Sequence, residues 1–255
     1  MHRNTYKKSD SLEKNLKILF KKLKEHKNLP PEAVRLKKVS RFFLKNPKTH
    51  TDLFVKNLRD TISRFIVFMA NNSNSDITRK FKNLCLKIIN IIDKTCLKLA
   101  TINQAVEAGK NKNIILTNSV QDSNDIKKYG ITGPIPGTSK NSTPQSLYNE
   151  LKNHKNINEV IIYCASTTCA NGIATKIFLL DLLKAKPLKR EIKITEYPGG
   201  GLEYEALVKL FPEKYKMTRP SGSRHFHYNF CQSITNRSVK DRDLKSHMKK
   251  TRKRY

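Results

Sequence analysis

Tryptophan is absent from this 255-residue chain, acidic side chains are scarce, and no apolar run is long enough to span a membrane. The best candidate, residues 65–70, follows directly on Arg64 and falls far short of the ~20 apolar residues a transmembrane helix needs. Met1, His2, Arg3 and Asn4 put polar and charged groups where a signal peptide carries its apolar segment. Five cysteines (Cys85, Cys96, Cys164, Cys169 and Cys231) are too few and too scattered to staple a disulfide framework. The expectation is an intracellular protein, cytoplasmic or nuclear, with no membrane contact. Hydrophobic residues make up only 37%, yet the length leaves room for one large domain or two small ones.

Positive charge is plentiful. Lys and Arg number 51 against 21 Asp and Glu, a formal net charge of +30. Lys outnumbers Arg 38 to 13 and Asn reaches 23, the bias of an AT-rich coding sequence such as a large DNA virus or a protist carries. Part of the charge therefore needs no functional cause. Its distribution says more: residues 1–110 carry a net +16, residues 111–215 only +4, and residues 216–255 +10. This predicts a folded module over 111–215, a basic helical region over 1–110, and a basic, partly disordered tail over 216–255.

The tail holds Lys249, Lys250, Arg252, Lys253 and Arg254. Such a cluster can neutralise phosphates in salt-sensitive nucleic-acid binding, serve as a nuclear-import signal, or simply be a solvated end. Phe226, Tyr228 and Phe230 nearby suit base stacking or a strand equally. His225, His227 and Cys231 fall short of a closed tetrahedral set, so no metal is expected.

The first 110 residues read as helical. Leu12, Leu16, Leu19 and Leu23 recur every three to four positions. Pro31 suits the first turn of a second helix through Val34, Leu36, Val39 and Phe43, and a third runs from Asp52 through Met69. Ser75 or Asp76 can cap a fourth. Its stripe Ile77, Phe81, Leu84, Ile88, Ile92, Leu99, Ile102 and Val106 predicts one continuous helix ending at Gly109. Cys85 and Cys96 fall near that stripe and read as buried small hydrophobes.

From Asn113 the pattern changes to short apolar runs alternating with helical stretches: strands at Ile114-Ile115-Leu116, Val160-Ile161-Ile162-Tyr163 and Ile192-Lys193-Ile194. Helices are predicted over residues 144–153 and after Gly172, the latter with Ile173, Ile177, Leu180 and Leu183 on one side. The alternation implies an α/β fold, a mostly parallel sheet with helices on both faces. Ligands gather at the carboxyl ends of such strands, where Cys164 lies. Amides of a tight loop entering a helix favour an anion there, which lowers a thiol's pKa and makes it a nucleophile. A cysteine simply buried at a strand end is the equally weighted reading.

Three blocks in order resemble the rhodanese-like domain family. Gly133-Pro134-Ile135-Pro136-Gly137-Thr138 is similar to its G-H-I-P-G-A turn, and Ile161-Ile162-Tyr163-Cys164 to the strand entering its active-site loop. Tyr197-Pro198-Gly199-Gly200-Gly201-Leu202-Glu203-Tyr204 is similar to its closing G-G-x-x-x-W segment, with Tyr204 near the usual Trp. The resemblance covers residues 111–215 and implies a five-stranded parallel sheet and sulfurtransferase activity without a cofactor. Sulfur from a donor such as thiosulfate or a persulfide would be held as a persulfide on Cys164. The loop of Ala165, Ser166, Thr167, Thr168, Cys169 and Ala170 would cradle it with backbone amides. The Tyr-Cys-Ala-Ser-x-x-Cys pattern resembles that of a subset of the family, and Cys169 would be a redox partner able to resolve Cys164 through a disulfide, against a plain packing role.

Two departures bear on activity. No cation falls among the six residues after Cys164, the first being Lys176, which disfavours the phosphate chemistry of the related cell-cycle phosphatases. Thr117-Asn118-Ser119 stands where the family shows Asp-x-Arg. Two readings stay open: a sulfurtransferase working through Cys164, or an inactive rhodanese-fold module tethered by its basic flanks to nucleic acid or an acidic partner.

Overall fold

The computed structural model describes residues 10–45, 52–119, 133–165, 169 and 171–217. The chain divides into two compact units, Met1–Arg219 and Pro220–Tyr255, and the described residues belong to the first. The basic tail, Phe226, Tyr228 and Phe230, and the His225, His227 and Cys231 set lie outside them.

Four helices come first: α1 (Asp10–Glu25), α2 (Pro31–Lys45), α3 (Asp52–Asn71) and α4 (Asp76–Ile91). Each follows its apolar stripe: Leu12, Leu16, Leu19 and Leu23 of α1 are buried, and so are Leu58, Ile62 and Phe65 of α3. Ser75 caps α4, its hydroxyl accepting from the Thr78 amide.

The continuous fourth helix expected from sequence does not exist. After Ile91 the chain widens into a π-helical turn, Ile92–Cys96, and Lys98 adopts a left-handed φ of 52°. A short separate helix, α5 (Ile102–Ala108), then starts from a capping box between Thr101 and Gln104. The wide turn aims Asp93 at Arg59 of α3, an attraction no periodicity of apolar residues records. Cys85 and Cys96 are free and buried, as expected.

The remainder is α/β: β1 (Ile114–Asn118), α6 (Pro144–Asn153), β2 (Glu159–Tyr163), α7 (Asn171–Ala185), β3 (Lys193–Glu196) and α8 (Gly200–Leu210). Among the described residues the sheet has three strands, all parallel, in the order β1-β2-β3. Ile115 pairs with Val160 and Leu116 with Ile161, so alternate residues serve opposite faces. Ile115, Val160 and Ile162 pack on Leu147 and Leu151 of α6 and Leu179 of α7. Leu116, Ile161 and Tyr163 join one core with α1–α5 and with Tyr204, Leu207 and Leu210 of α8. The α3 helix packs along α8, so the N-terminal helices share their interior with the sheet.

Most of the stripe singled out on α7 points to solvent, and only Leu183 of it packs against the core. Ile173, Ile177 and Leu180 are exposed, and the buried residues of α7 are Gly172, Thr175 and Leu179. The turn before α6 depends on one glycine: Gly137 has φ 78°, and a Cβ there would collide with the Gly109 carbonyl.

Candidate active site

Cys164 sits where the middle strand ends. Three backbone hydrogen bonds fix it: the Tyr163 carbonyl accepts from the Ser119 amide (2.8 Å), the Cys164 carbonyl from Gly201 (2.8 Å), and the Ala165 carbonyl from Leu202 (2.9 Å). The end of β1, the cysteine loop and the start of α8 are thus stitched into one edge. Gly200 enters α8 with φ 67°, a left-handed conformation that suits glycine.

Cys164 and Cys169 are joined by a disulfide, with Cα atoms 6.2 Å apart, well within bridging range. Cys164 is 6% exposed, whereas Cys169 is partly open to solvent. Ser166, Thr167, Thr168 and Ala170 lie outside the described residues, and with them the amide cradle expected of the loop. The Cys164 sulfur is 3.7 Å from the Ser119 carbonyl. In the reduced protein a thiol can donate to that oxygen, an interaction that favours the protonated form.

Two further polar groups stand at this edge. Asn118 Oδ1 and Ser119 Oγ are buried and find no hydrogen-bond partner among the described residues. They belong to the Thr117-Asn118-Ser119 segment that closes β1.

Sequence reasoning overlooked Glu196. It ends β3 on the sheet face that carries α7, paired in register with Ile162. A Cβ added to Gly172 would lie 3.5 Å from Glu196 Oε1 and 3.6 Å from Cys164 Cβ, so both flank one glycine at the start of α7. Burial pushes the Glu196 carboxyl above its ordinary range, opposed by Lys176 of α7 and Lys56 of α3. Lys176 was noted in the sequence as the first cation after the loop; Lys56, more than a hundred positions from Cys164, was not. The rule that sites gather at strand ends would have found Glu196, since the strand stops there.

No family model, no curated protein and no solved structure matches this chain. What the site can do must be read from its own residues. Among the described residues no group of three or more His, Cys, Asp or Glu side chains is placed to hold a metal ion, and no helix is long and apolar enough to cross a membrane. The chemistry on offer is that of a dithiol: a sheltered sulfur at a strand end and a more accessible one five residues on, interconverting with a disulfide.

Proposed function

We propose that the Cys164–Cys169 pair is a sulfur-transfer site of the rhodanese-like kind. The observation that carries this reading is the pairing of the two cysteines at the carboxyl end of the middle parallel strand. In the reduced protein the Cys164 thiolate attacks the outer sulfur of a donor persulfide, R–S–SH. It becomes Cys164–S–SH, and R–S⁻ leaves as the thiolate. With thiosulfate as donor, sulfite is the leaving group. An acceptor thiol then takes the outer sulfur and returns Cys164 to the thiol. Alternatively, the Cys169 thiolate attacks Cys164 Sγ, expels hydrosulfide and closes the disulfide, so the bridged form is the discharged state awaiting a reducing thiol.

Mass spectrometry tests this on the reduced chain treated with thiosulfate or a small persulfide. Cys169→Ala should hold an adduct of about 32 Da on Cys164. Wild type should pass on to a product about 2 Da lighter than the dithiol. Thiosulfate-to-cyanide transfer should disappear in Cys164→Ala. Neither adduct nor turnover in any of these proteins would refute the proposal.

A second reading, a rhodanese-fold binding module without turnover, has one observation in its favour. Cys164 is buried, with the Ser119 carbonyl beside it and the Glu196 carboxylate across Gly172, surroundings that oppose an anionic sulfur. Absence of the adduct together with salt-sensitive polyanion binding would select it.

A further inference from the structure

The hairpin of α1 and α2 carries an open trough of about 660 Å³ on its outer surface. Its floor is apolar: Phe20 from α1, Leu29 from the connection, and Val34 and Leu44 from α2. Val34 is 37% exposed, and the other three are partly covered. The walls are entirely cationic, with Lys24 on one side and Lys37, Lys38, Arg41 and Lys45 on the other. No carboxylate lines the trough, and none of these five cations forms an ion pair among the described residues. Elsewhere on the same hairpin Lys17 and Lys21 do pair, with Glu13 and Glu25.

We infer that this trough docks an acidic amphipathic helix of a partner protein. Lys37, Arg41 and Lys45 recur every four residues, which places three charges in a row along ~12 Å of α2. A helix presenting apolar residues at i, i+3, i+4 and i+7 covers about the same length and seats its apolar edge on such a floor. Carboxylates on its flanks then meet Lys24 on one side and the α2 row on the other. Such charge complementarity fixes partner choice and register and speeds encounter. A nucleic acid fits this surface poorly, because Leu29, Val34 and Leu44 offer phosphates nothing to bond and Phe20 is a single stacking ring. An acyl chain would leave most of the row of cations unanswered.

The experiment uses the full reduced chain and a labelled helical peptide of about 16 residues with Leu at i, i+3, i+4 and i+7 and Glu on both flanks, followed by anisotropy near physiological salt. The expected result is saturable binding at least about tenfold tighter than for a scrambled peptide of the same composition. The charge reversal Lys37→Glu/Arg41→Glu, and separately Val34→Asp on the floor, should each weaken it about tenfold or more. Lys87→Glu/Lys94→Glu makes the same change of net charge at exposed positions outside the trough, and should cost less than about threefold. All the substituted positions are partly or well exposed, and unchanged helical circular dichroism confirms folding. Equal binding of the scrambled peptide, or equal loss in the control pair, would reduce the effect to net charge and overturn the inference. So would a DNA oligomer or anionic vesicles that respond to the trough variants when the peptide does not. Persulfide formation plays no part in this readout, so the two proposals fail separately.

Discussion

Arg59 is the most deeply enclosed cation among the described residues, at 2% exposure. Its guanidinium meets Asp93 through Nε (2.7 Å) and Nη2 (3.0 Å), and Glu203 through Nη1 and Nη2, while Tyr197 donates its hydroxyl to Glu203 Oε1 (2.8 Å). One cation thus serves two buried carboxylates, and they do not share it equally. Burial works against the charged form of Glu203, but Arg59 and the hydrogen bonds from Arg59, Ser63 and Tyr197 outweigh it and hold the carboxyl below its ordinary range. Asp93 lacks that extra support, and burial pushes it up to about 6 despite Arg59. A carboxyl raised on folding stabilises the folded state below its unfolded value of about 4, and that contribution is lost as the pH rises through about 6. Between pH 7.5 and pH 5 the wild type should therefore gain stability relative to Asp93→Asn, by about 1.4 kcal/mol for a shift of this size. Denaturant melts of both proteins at a series of pH values check this. Glu205 is raised in the same direction but is present in both proteins, so it cancels. Parallel stability–pH curves would contradict the assignment.

At the scale of elements the same cluster ties α3 to the π-helical turn and to α8, joining the helical hairpins to the sheet. Arg59→Met would leave two carboxylates stranded in an apolar interior, at a cost of about 3–5 kcal/mol, read as a lowered urea midpoint. Adding Asp93→Asn and Glu203→Gln removes the stranded charges and should restore much of that loss; no recovery would mean that Arg59 acts through packing alone. These contacts also explain which elements could be read in the sequence. The α1, α2 and α3 helices and β2 were legible, because one face of each is apolar at the period of its own geometry. The break after α4 was not, since the partners of Arg59 lie 34 and 144 positions away and the apolar stripe runs on past Asp93. Nor was the orientation of α7, a helix apolar on most sides, for which small residues at the interface decide the face. At the site, Cys164 and its partner could be named because strand-to-loop-to-helix order is local. Glu196 is marked in the sequence only by its place at a strand end, and Lys56 reaches the same edge through the docking of α3, which a linear reading cannot supply.

For the whole molecule, charge is the dominant property, and its placement allows two kinds of anionic partner to be told apart. The last forty residues carry a net +10, and five cations cluster within residues 249–254. A chain segment of that kind binds polyanions by displacing their counterions, so affinity falls with salt in proportion to the phosphates neutralised, by about 0.9 in the logarithmic slope for each on duplex DNA. The trough between α1 and α2 holds a comparable number of cations but surrounds an apolar floor, and its affinity should depend on pattern as well as on charge. Deleting residues 240–255 should therefore weaken duplex DNA binding and flatten its salt slope by about 4.5, if all five clustered cations meet phosphates. The same deletion should leave binding of the acidic helical peptide within about threefold of the full chain, since residues of α1, α2 and their connection line the trough. Titrations of both ligands against full-length and shortened chains, over a range of salt, separate the two surfaces. A DNA slope untouched by the deletion would place the phosphate contacts on the helical region instead. Loss of both ligands together would show a single diffuse cationic field with no division of labour between tail and trough.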